Sequence, residues 1–136
     1  MSQLTNYAES ALLNHLLGIA EFTMPTTVYV AAFTSDPGET GDLTNEIDSA
    51  LNYERQPITS TMSTSVDGTP STNGSPVTFG AAATADWGTI THFAIMDDAT
   101  AGAGNALMYA ALTASKLIEV GDVLTIDTNQ LSAALL

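Results

Sequence analysis

Cysteine is absent from this chain of 136 residues, and basic residues are almost absent. Without cysteine there is no disulfide, no thiolate nucleophile and no zinc site built on thiolates. Two Lys or Arg residues face fifteen carboxylates, which gives a formal net charge of −13. A nucleic-acid-binding surface has to neutralise phosphates with Lys and Arg. The composition therefore predicts no nucleic acid and no anionic membrane among the partners.

Long apolar runs and charged residues are also scarce. No apolar run approaches the ~18 residues of a membrane span, and residues 1–17 contain no Lys or Arg of the kind that begins a signal peptide. Charged residues make up 12% of the chain, about half of the usual share, and Thr, Ser, Asn and Gly supply the polarity instead. We therefore expect a soluble protein made in a cytoplasm, rich in strands, turns and close protein contacts.

Apolar residues are plentiful enough for one core. They make up 45% of the chain, and a domain of this length buries roughly 65–70% of the surface that its unfolded chain exposes. We predict a single domain over residues 1–136, without internal repeats and without a metal or cofactor to hold it together.

The first predicted element is a helix over about residues 5–17, which Thr5 or Asn6 can cap and Gly18 can end. At 100° per residue, a core-facing stripe is predicted for one set of side chains: Leu4, Ala8, Ala11, Leu12, His15, Leu16 and Ile19. Leu13 and Leu17 fall on the opposite side of the helix. They are either scattered exposed residues, which carry no meaning, or a contact to a neighbouring subunit.

Runs of β-branched and aromatic residues predict strands from residue 27 to residue 136. The predicted strands are 27–33, 53–59, one that begins at 76–79, 87–96, 105–113, 123–127 and 131–136. The run 87–96 is expected to be a central strand buried on both faces, with Trp87, Phe93 and Ile95 on one face and Ile90, Ala94 and Met96 on the other. The predicted fold class is mainly β, an antiparallel β-sandwich (jelly-roll-like) with one N-terminal α-helix.

Two segments between these strands are predicted to be loops. Residues 39–51 carry four carboxylates with little periodicity, which indicates an exposed acidic loop. Residues 60–76 are almost all Ser, Thr, Gly, Asn, Asp and Pro. Loops of that length in compact domains are usually functional or mobile.

Candidate catalytic and metal-binding groups are few. His15 and His92 are each predicted to be structural, and no serine has the G-x-S-x-G spacing of a nucleophile elbow. The oxygen-rich groups Asp36/Glu39/Asp42 and Asp97/Asp98 do not match the EF-hand spacing, so solvated loops are favoured over an ion site. We expect no enzymatic activity and no cofactor.

The candidate interface residues include one of the two cations, two leucines of the predicted helix and the apolar C-terminal end. Arg55 is expected to pair with a carboxylate, with bidentate geometry, either inside the domain or between subunits. Leu135 and Leu136 form an apolar end, which is usually tied into a sheet or an interface. With Leu13 and Leu17, these residues are the predicted contacts.

An ordered set of motifs runs along nearly the whole chain: AsnHisLeuLeuGly (14–18), PheThrMetPro (22–25), ValTyrValAlaAlaPheThrSerAspProGly (28–38), TyrGluArgGln (53–56), ValThrPheGly (77–80), TrpGlyThrIleThrHisPheAlaIleMetAsp (87–97), GlyAsnAlaLeuMetTyr (104–109), LeuThrAlaSerLys (112–116) and GlyAsp (121–122). In their order and spacing these motifs resemble small virion structural proteins of tailed bacteriophages, of the tail fibre or capsid decoration (cement) type.

The resemblance implies a virion structural role, on the capsid surface or the tail, with assembly in the host bacterial cytoplasm. Because the chain has no long heptad helix and no repeat, a capsid decoration subunit is favoured over a tail fibre or tail-tip component. The expected partners are copies of the chain itself, as a dimer or trimer, and major capsid or tail proteins. The rival interpretation is a module that binds host-surface glycans through its polar loops.

Overall fold

A computed structural model describes residues 2–135. One α-helix, α1 (Asn6–Leu16), and a short 3-10 turn (Ser49–Leu51) accompany a set of mostly short strands: β1 (Gln3–Leu4), β2 (Tyr29–Phe33), β3 (Gln56–Pro57), β4 (Ser71–Thr72), β5 (Val77–Thr78), β6 (Gly88–Met96), β7 (Ala106–Ile118), β8 (Thr125–Ile126) and β9 (Ser132–Ala133). The mainly β class with an N-terminal helix is thus confirmed. No helix among these residues is long and apolar enough to cross a bilayer.

The main sheet has five antiparallel strands in the order β1-β7-β6-β2-β3. Its centre is the hairpin of β6 and β7, against which β2 pairs from Tyr29 opposite Met96 to Phe33 opposite His92. Two ribbons, β4 with β9 and β5 with β8, stand outside this sheet. The Ser2 hydroxyl accepts a hydrogen bond from the Ala134 amide at 3.1 Å, so the beginning and the end of the described chain lie side by side.

The larger core lies on one face of the main sheet. Tyr53 stacks on Phe79 with ring centroids 6.0 Å apart, and Trp87 meets Tyr53 edge-on at 5.5 Å. Val77 and Ile126 bring the β5–β8 ribbon into the same cluster. Much of the layer that covers this face is therefore irregular chain and short ribbon. This is why the predicted strands 53–59, 123–127 and 131–136 are only two residues long in the structure.

A β-bulge changes the predicted faces of the central strand. Ile90 lies opposite Lys116, but His92 lies opposite Ala111, so the register jumps between them. Because a bulge interrupts the strict alternation of side chains, Ile90 packs in the same cluster as Phe93 and Ile95. The prediction that Ile90 shares a face with Ala94 and Met96 is wrong, whereas the expectation of apolar packing on both faces of this strand is met.

The second face of the sheet carries a smaller core, formed by a set of buried apolar side chains: Ala31, Phe33, Ala94, Met96, Ala106 and Tyr109. The first turn of α1 is anchored here, because the Thr5 side chain caps the helix by accepting from the Ala8 amide at 3.3 Å and donates to the Ala106 carbonyl. Burial and the nearby carboxylates of Glu39, Asp36 and Glu9 raise the pKa of Tyr109. The helix therefore lies on the Tyr109 side of the sheet.

The polar segment 60–76 is more ordered than predicted. It contains β4, which pairs with β9, and Asn73 is completely buried. The Asn73 side-chain amide donates to the carbonyls of Ser75 and Asp127, and its oxygen accepts from the Leu131 amide. One buried amide therefore ties the loop to the C-terminal segment, and the turn at Asp67 and Gly68 is closed by the Thr69 amide, which donates to the Val66 carbonyl at 3.0 Å.

Candidate assembly surface

The end of α1 carries exposed apolar side chains, which we call the helix-end patch: Leu13, Leu16, Leu17 and Ile19. Their exposed fractions are 56%, 80%, 64% and 69%. The three leucines have i, i+3 and i+4 spacing and so share one side of the helix. Contiguous apolar surface of this kind marks interaction sites far more often than single exposed residues do.

The prediction that Leu16 and Ile19 face the core is wrong. Ala8 is the buried residue of the helix, and it lies in the first turns. The periodicity of the sequence identifies an apolar side of the helix but not how far the sheet extends beneath it. In the structure the sheet covers the first half of α1, so the second half leaves its leucines in solvent.

His15 holds the end of this patch in shape. The side chain is exposed, contrary to the predicted core-facing stripe, and its Nδ1 accepts a hydrogen bond from the Phe22 amide at 3.1 Å. Nδ1 can accept only while the proton of the neutral ring is on Nε2. Gly18, at a φ of 71°, ends the helix, and the Ile19 amide donates to the Asn14 carbonyl at 2.8 Å, which keeps Ile19 close to the last turn. The structural role predicted for His15 is thus the positioning of a loop.

The predicted interface residues differ in accessibility. Leu13 and Leu17 are exposed as expected, and their role as contacts stays a prediction. Leu135 is 61% exposed, so it is available for a contact and is not tied into the sheet. Leu136 lies outside the described residues.

Arg55 is not a surface residue. It is 4% exposed, and its guanidinium makes a bidentate pair with Glu46, with both N–O distances at 2.7 Å. Its third nitrogen donates to the carbonyls of Asp98 and Ala103. The structure therefore favours the alternative in which Arg55 acts inside the domain, since all three nitrogens of the guanidinium find their acceptors there.

Glu46 is the acceptor at the centre of this network. Besides Arg55 it accepts from the Tyr53 hydroxyl at 2.9 Å and from the Gly102 amide at 2.8 Å. The Tyr53 oxygen in turn accepts from the Ala32 amide of β2, and burial together with the Glu46 charge raises the pKa of Tyr53. One carboxylate thus fastens two loops to the main sheet, and the segment 39–51 is not the fully exposed loop that was predicted.

The remaining acidic loops use their carboxylates to order their own backbone. Asp36 and Asp42 accept from the amides two residues ahead, at Gly38 and Thr44, and Asp98 accepts from Thr100. These hydrogen bonds lower the pKa of Asp42 and of Asp98. Within residues 2–135 no group of His, Asp and Glu side chains is placed to hold a metal ion.

A second apolar feature lies on the opposite side of the sheet, a groove of about 700 Å³ between the β6–β7 hairpin and the C-terminal segment. Half-buried side chains of the hairpin line one wall, chiefly Phe93, Ile95, Met108 and Leu112, and residues 124–132 line the other. Lys116 and Asp127 are charged groups of its lining. Such a groove can receive apolar side chains.

The second histidine has a local role in the structure. His92 Nδ1 is 2.9 Å from the Thr91 hydroxyl, and its Nε2 is 3.8 Å from an Asp36 oxygen. The ring is half-buried and lies outside the groove lining. The predicted structural role of His92 agrees with this placement.

A mainly β domain whose most prominent surface features are an apolar patch and an apolar groove has the properties of a structural protein that works through contacts. The comparison with protein families agrees: the chain belongs to a family of phage tail fibre structural proteins. The family model that matches is Gp80, described as podophage GP4 fiber I protein gp80, and it covers residues 3–134. A search of curated proteins finds no match. The resemblance to phage virion proteins is thereby confirmed.

Sequence reasoning missed the groove and half of the helix-end patch. The groove is formed by segments around residues 93, 110 and 127, which are far apart in the sequence and carry no common motif. For the patch a signal existed: Leu16 and Leu17 immediately precede Gly18. Adjacent leucines are about 100° apart around a helix axis, so the predicted core-facing stripe that includes Leu16 cannot also bury Leu17.

Proposed function

We propose that this protein is a subunit of the phage tail fibre apparatus that is held in place through its helix-end patch. The observation that supports the proposal is the exposure of four large apolar side chains, Leu13, Leu16, Leu17 and Ile19, over the last turn of α1 and the three residues that follow it. Each such side chain contributes roughly 1.5–3 kcal/mol when it becomes fully buried. Part of that free energy offsets the entropy lost on association.

The charge of the molecule fits this role. With a net charge of −13, copies repel each other at long range, which keeps free subunits apart until a specific contact forms. The apolar patch supplies the short-range attraction, and the acidic remainder stays in solvent.

Capsid decoration, the location favoured by the sequence, is the second candidate. Its support is that residues 2–135 contain one 11-residue helix and no long helix that would form a shaft. Cryo-electron microscopy of intact particles separates the two locations. A few copies at the tail agree with a fibre subunit, and many copies over the shell agree with decoration.

The test of the patch is the double variant Leu13→Asp with Leu17→Asp. Both side chains are exposed, so we expect an unchanged circular dichroism spectrum and thermal midpoint. Incorporation into particles, measured by quantitative immunoblotting of purified virions, should fall at least about tenfold because two buried apolar contacts would become desolvated charges.

The matched control is Val66→Asp with Val120→Asp, two other exposed apolar residues at 59% and 55%. These changes add the same two negative charges away from the patch, and we expect normal incorporation. Normal incorporation of the Leu13/Leu17 variant would refute the role of the helix-end patch.

A further inference from the structure

We infer that the helix-end patch of one copy docks in the apolar groove of the next copy, so that subunits join head to tail. The inference rests on the proposed function, in which the helix-end patch is a contact surface, and it names the partner of that surface. A helix whose apolar anchors have i, i+3 and i+4 spacing typically binds by laying them into an apolar groove.

The two surfaces lie on opposite sides of the main sheet. The helix is anchored over the face that carries Ala106 and Tyr109. Phe93, Ile95 and Leu112, which line the groove, belong to the cluster on the other face. A patch and a groove on opposite faces of one chain cannot contact each other within that chain, but the patch of one copy can pack into the groove of another.

The groove has the size and lining for such an occupant. Its volume of about 700 Å³ falls within the ~300–1,000 Å³ of binding pockets, which are lined mainly by apolar side chains. Phe93, Ile95 and Leu112 pack on the core but remain half-buried. Their exposed portions would become covered by the leucines of the neighbouring helix.

Oppositely charged side chains lie at the two surfaces, and the groove lining contains Asp127 as well as Lys116. The chain has two Lys or Arg residues, and Arg55 is buried in its pair with Glu46, which leaves Lys116 as the exposed one. Lys116 lines the groove. Glu21 is exposed and borders the small hollow beside Ile19 in the helix-end patch. Although the molecule has a net charge of −13, the exposed Lys116 lies at the groove, where Glu21 of a neighbouring copy would approach it.

The contact is heterologous, because each copy contributes a different surface. Such contacts form closed rings when the rotation between copies closes and open filaments when it does not. Of the two assemblies expected from the sequence, a symmetric dimer would instead place the same patch of both copies together, whereas a cyclic trimer would be a closed ring of heterologous contacts.

Charge reversal tests the pairing without disturbing the core. Lys116→Glu and Glu21→Lys both change exposed side chains, and each single variant should weaken self-association about tenfold, measured by sedimentation velocity. The double variant, with both reversals in one chain, places opposite charges at the contact again and should recover association. A double variant as weak as the single variants would show that these two side chains do not meet. Glu54→Lys, an exposed reversal elsewhere, makes the same charge change as Glu21→Lys; it is the control for that variant and should not weaken association.

Mixing blocked copies tests the direction of assembly. One variant carries Leu13→Asp with Leu17→Asp and so lacks the patch; the other carries Ala114→Trp, an exposed residue that lines the groove. We expect each variant alone to be monomeric and their mixture to stop at a 1:1 complex. Ala99→Trp, an exposed change outside the groove, should leave assembly intact.

The outcomes separate this inference from the proposed function. If the mixture stays monomeric although the Leu13/Leu17 variant has lost incorporation into particles, the head-to-tail contact is wrong and the patch binds another partner. If the Leu13/Leu17 variant both self-associates and enters particles like the unmodified chain, the proposed function fails as well.

Discussion

At the scale of single residues, the most consequential interaction is the buried pair of Arg55 and Glu46. The side chains are 0% and 2% exposed, and both carboxylate oxygens accept from the guanidinium. A buried ion pair of this kind is a modest source of stability as a whole, because desolvation offsets most of the attraction. Its value is positional: it fixes the loops around Glu46 and residues 98–103 against the sheet.

Removing one partner should be far more costly than removing both. Arg55→Met leaves the Glu46 charge buried without its partner, and we expect a loss of about 3–5 kcal/mol in the free energy of unfolding, measured by urea denaturation. Adding Glu46→Leu to that variant should recover part of the loss. Glu54→Gln, next to Arg55 but exposed, should stay within about 0.5 kcal/mol of the unmodified chain. A loss below about 1 kcal/mol for Arg55→Met would show that the network is dispensable.

Tyr53 gives the same network a dependence on alkaline pH. Burial and the Glu46 charge raise the pKa of Tyr53, so the folded state keeps the phenol neutral where the unfolded chain releases its proton. A raised folded pKa stabilises the fold fully below the unfolded value of about 10, and this contribution is lost as the pH rises above it. We therefore expect the thermal midpoint to fall above about pH 10, where the unfolded phenol ionises.

The comparison for this prediction is Tyr53→Phe. Phenylalanine removes the ionising group, so its thermal midpoint should start lower, because two hydrogen bonds are lost, but should fall less steeply with alkaline pH. Equal slopes for the two proteins would assign the alkaline sensitivity to other groups, of which Tyr109 is the first to consider because its pKa is raised too.

At the scale of elements, α1 depends on one residue outside it. Thr5 is 1% exposed, and its hydroxyl both caps the helix at Ala8 and donates to Ala106 on β7. A lost cap costs about 0.5–2 kcal/mol, and the carbonyl that loses its donor adds about 1 kcal/mol.

We accordingly expect Thr5→Ala to lower the free energy of unfolding by roughly 1.5–3 kcal/mol, the sum of a lost cap and a lost buried hydrogen bond. Thr5→Ser keeps the hydroxyl and should cost less than half as much. Chemical denaturation measures both changes, and hydrogen exchange of the amides of α1 reports whether the helix frays locally. An alanine variant as stable as the serine variant would mean that the methyl group, and not the hydroxyl, anchors the helix.

An element could be predicted from the sequence where nearby residues determine its conformation. The start of α1 at Thr5 and the strand ending at Met96 were predicted because capping residues and dense β-branched and aromatic runs act within a few positions. The bulge near Thr91 and the two-residue strands such as β3 were not. They depend on which distant segment packs opposite them, and the local sequence does not determine that segment.

The site shows the same division. The exposure of Leu13 and Leu17 and the carboxylate pairing of Arg55 were foreseen, since helical periodicity and a lone cation in an acidic chain are visible in the sequence. The exposure of Leu16, the groove and the identity of Glu46 as the partner required the fold. All three features depend on contacts between segments that are far apart in the sequence and meet only in the folded protein.

At the scale of the whole molecule, the acidic surface and the proposed apolar contact would have separate effects on assembly. Net charge sets how fast copies meet, because like charges slow encounter and salt screens them over roughly 8–10 Å at physiological ionic strength. Apolar contact area and shape set how long they stay. In the proposed assembly, a subunit would stay dispersed at low concentration and would associate where many free contact surfaces lie close together.

The neighbouring positions of Ser2 and Ala134 have a practical consequence for protein engineering. A short linker between these two positions, with new termini opened at the exposed turn of Asp67 and Gly68, would give a circular permutant with the same contacts. Since Ser2 and Ala134 both border the groove, a reporter fused beside either of them would crowd the inferred docking site. The permutant would carry the same reporter on a turn whose two residues do not line the groove, and it is the form in which labelled subunits can be followed through assembly.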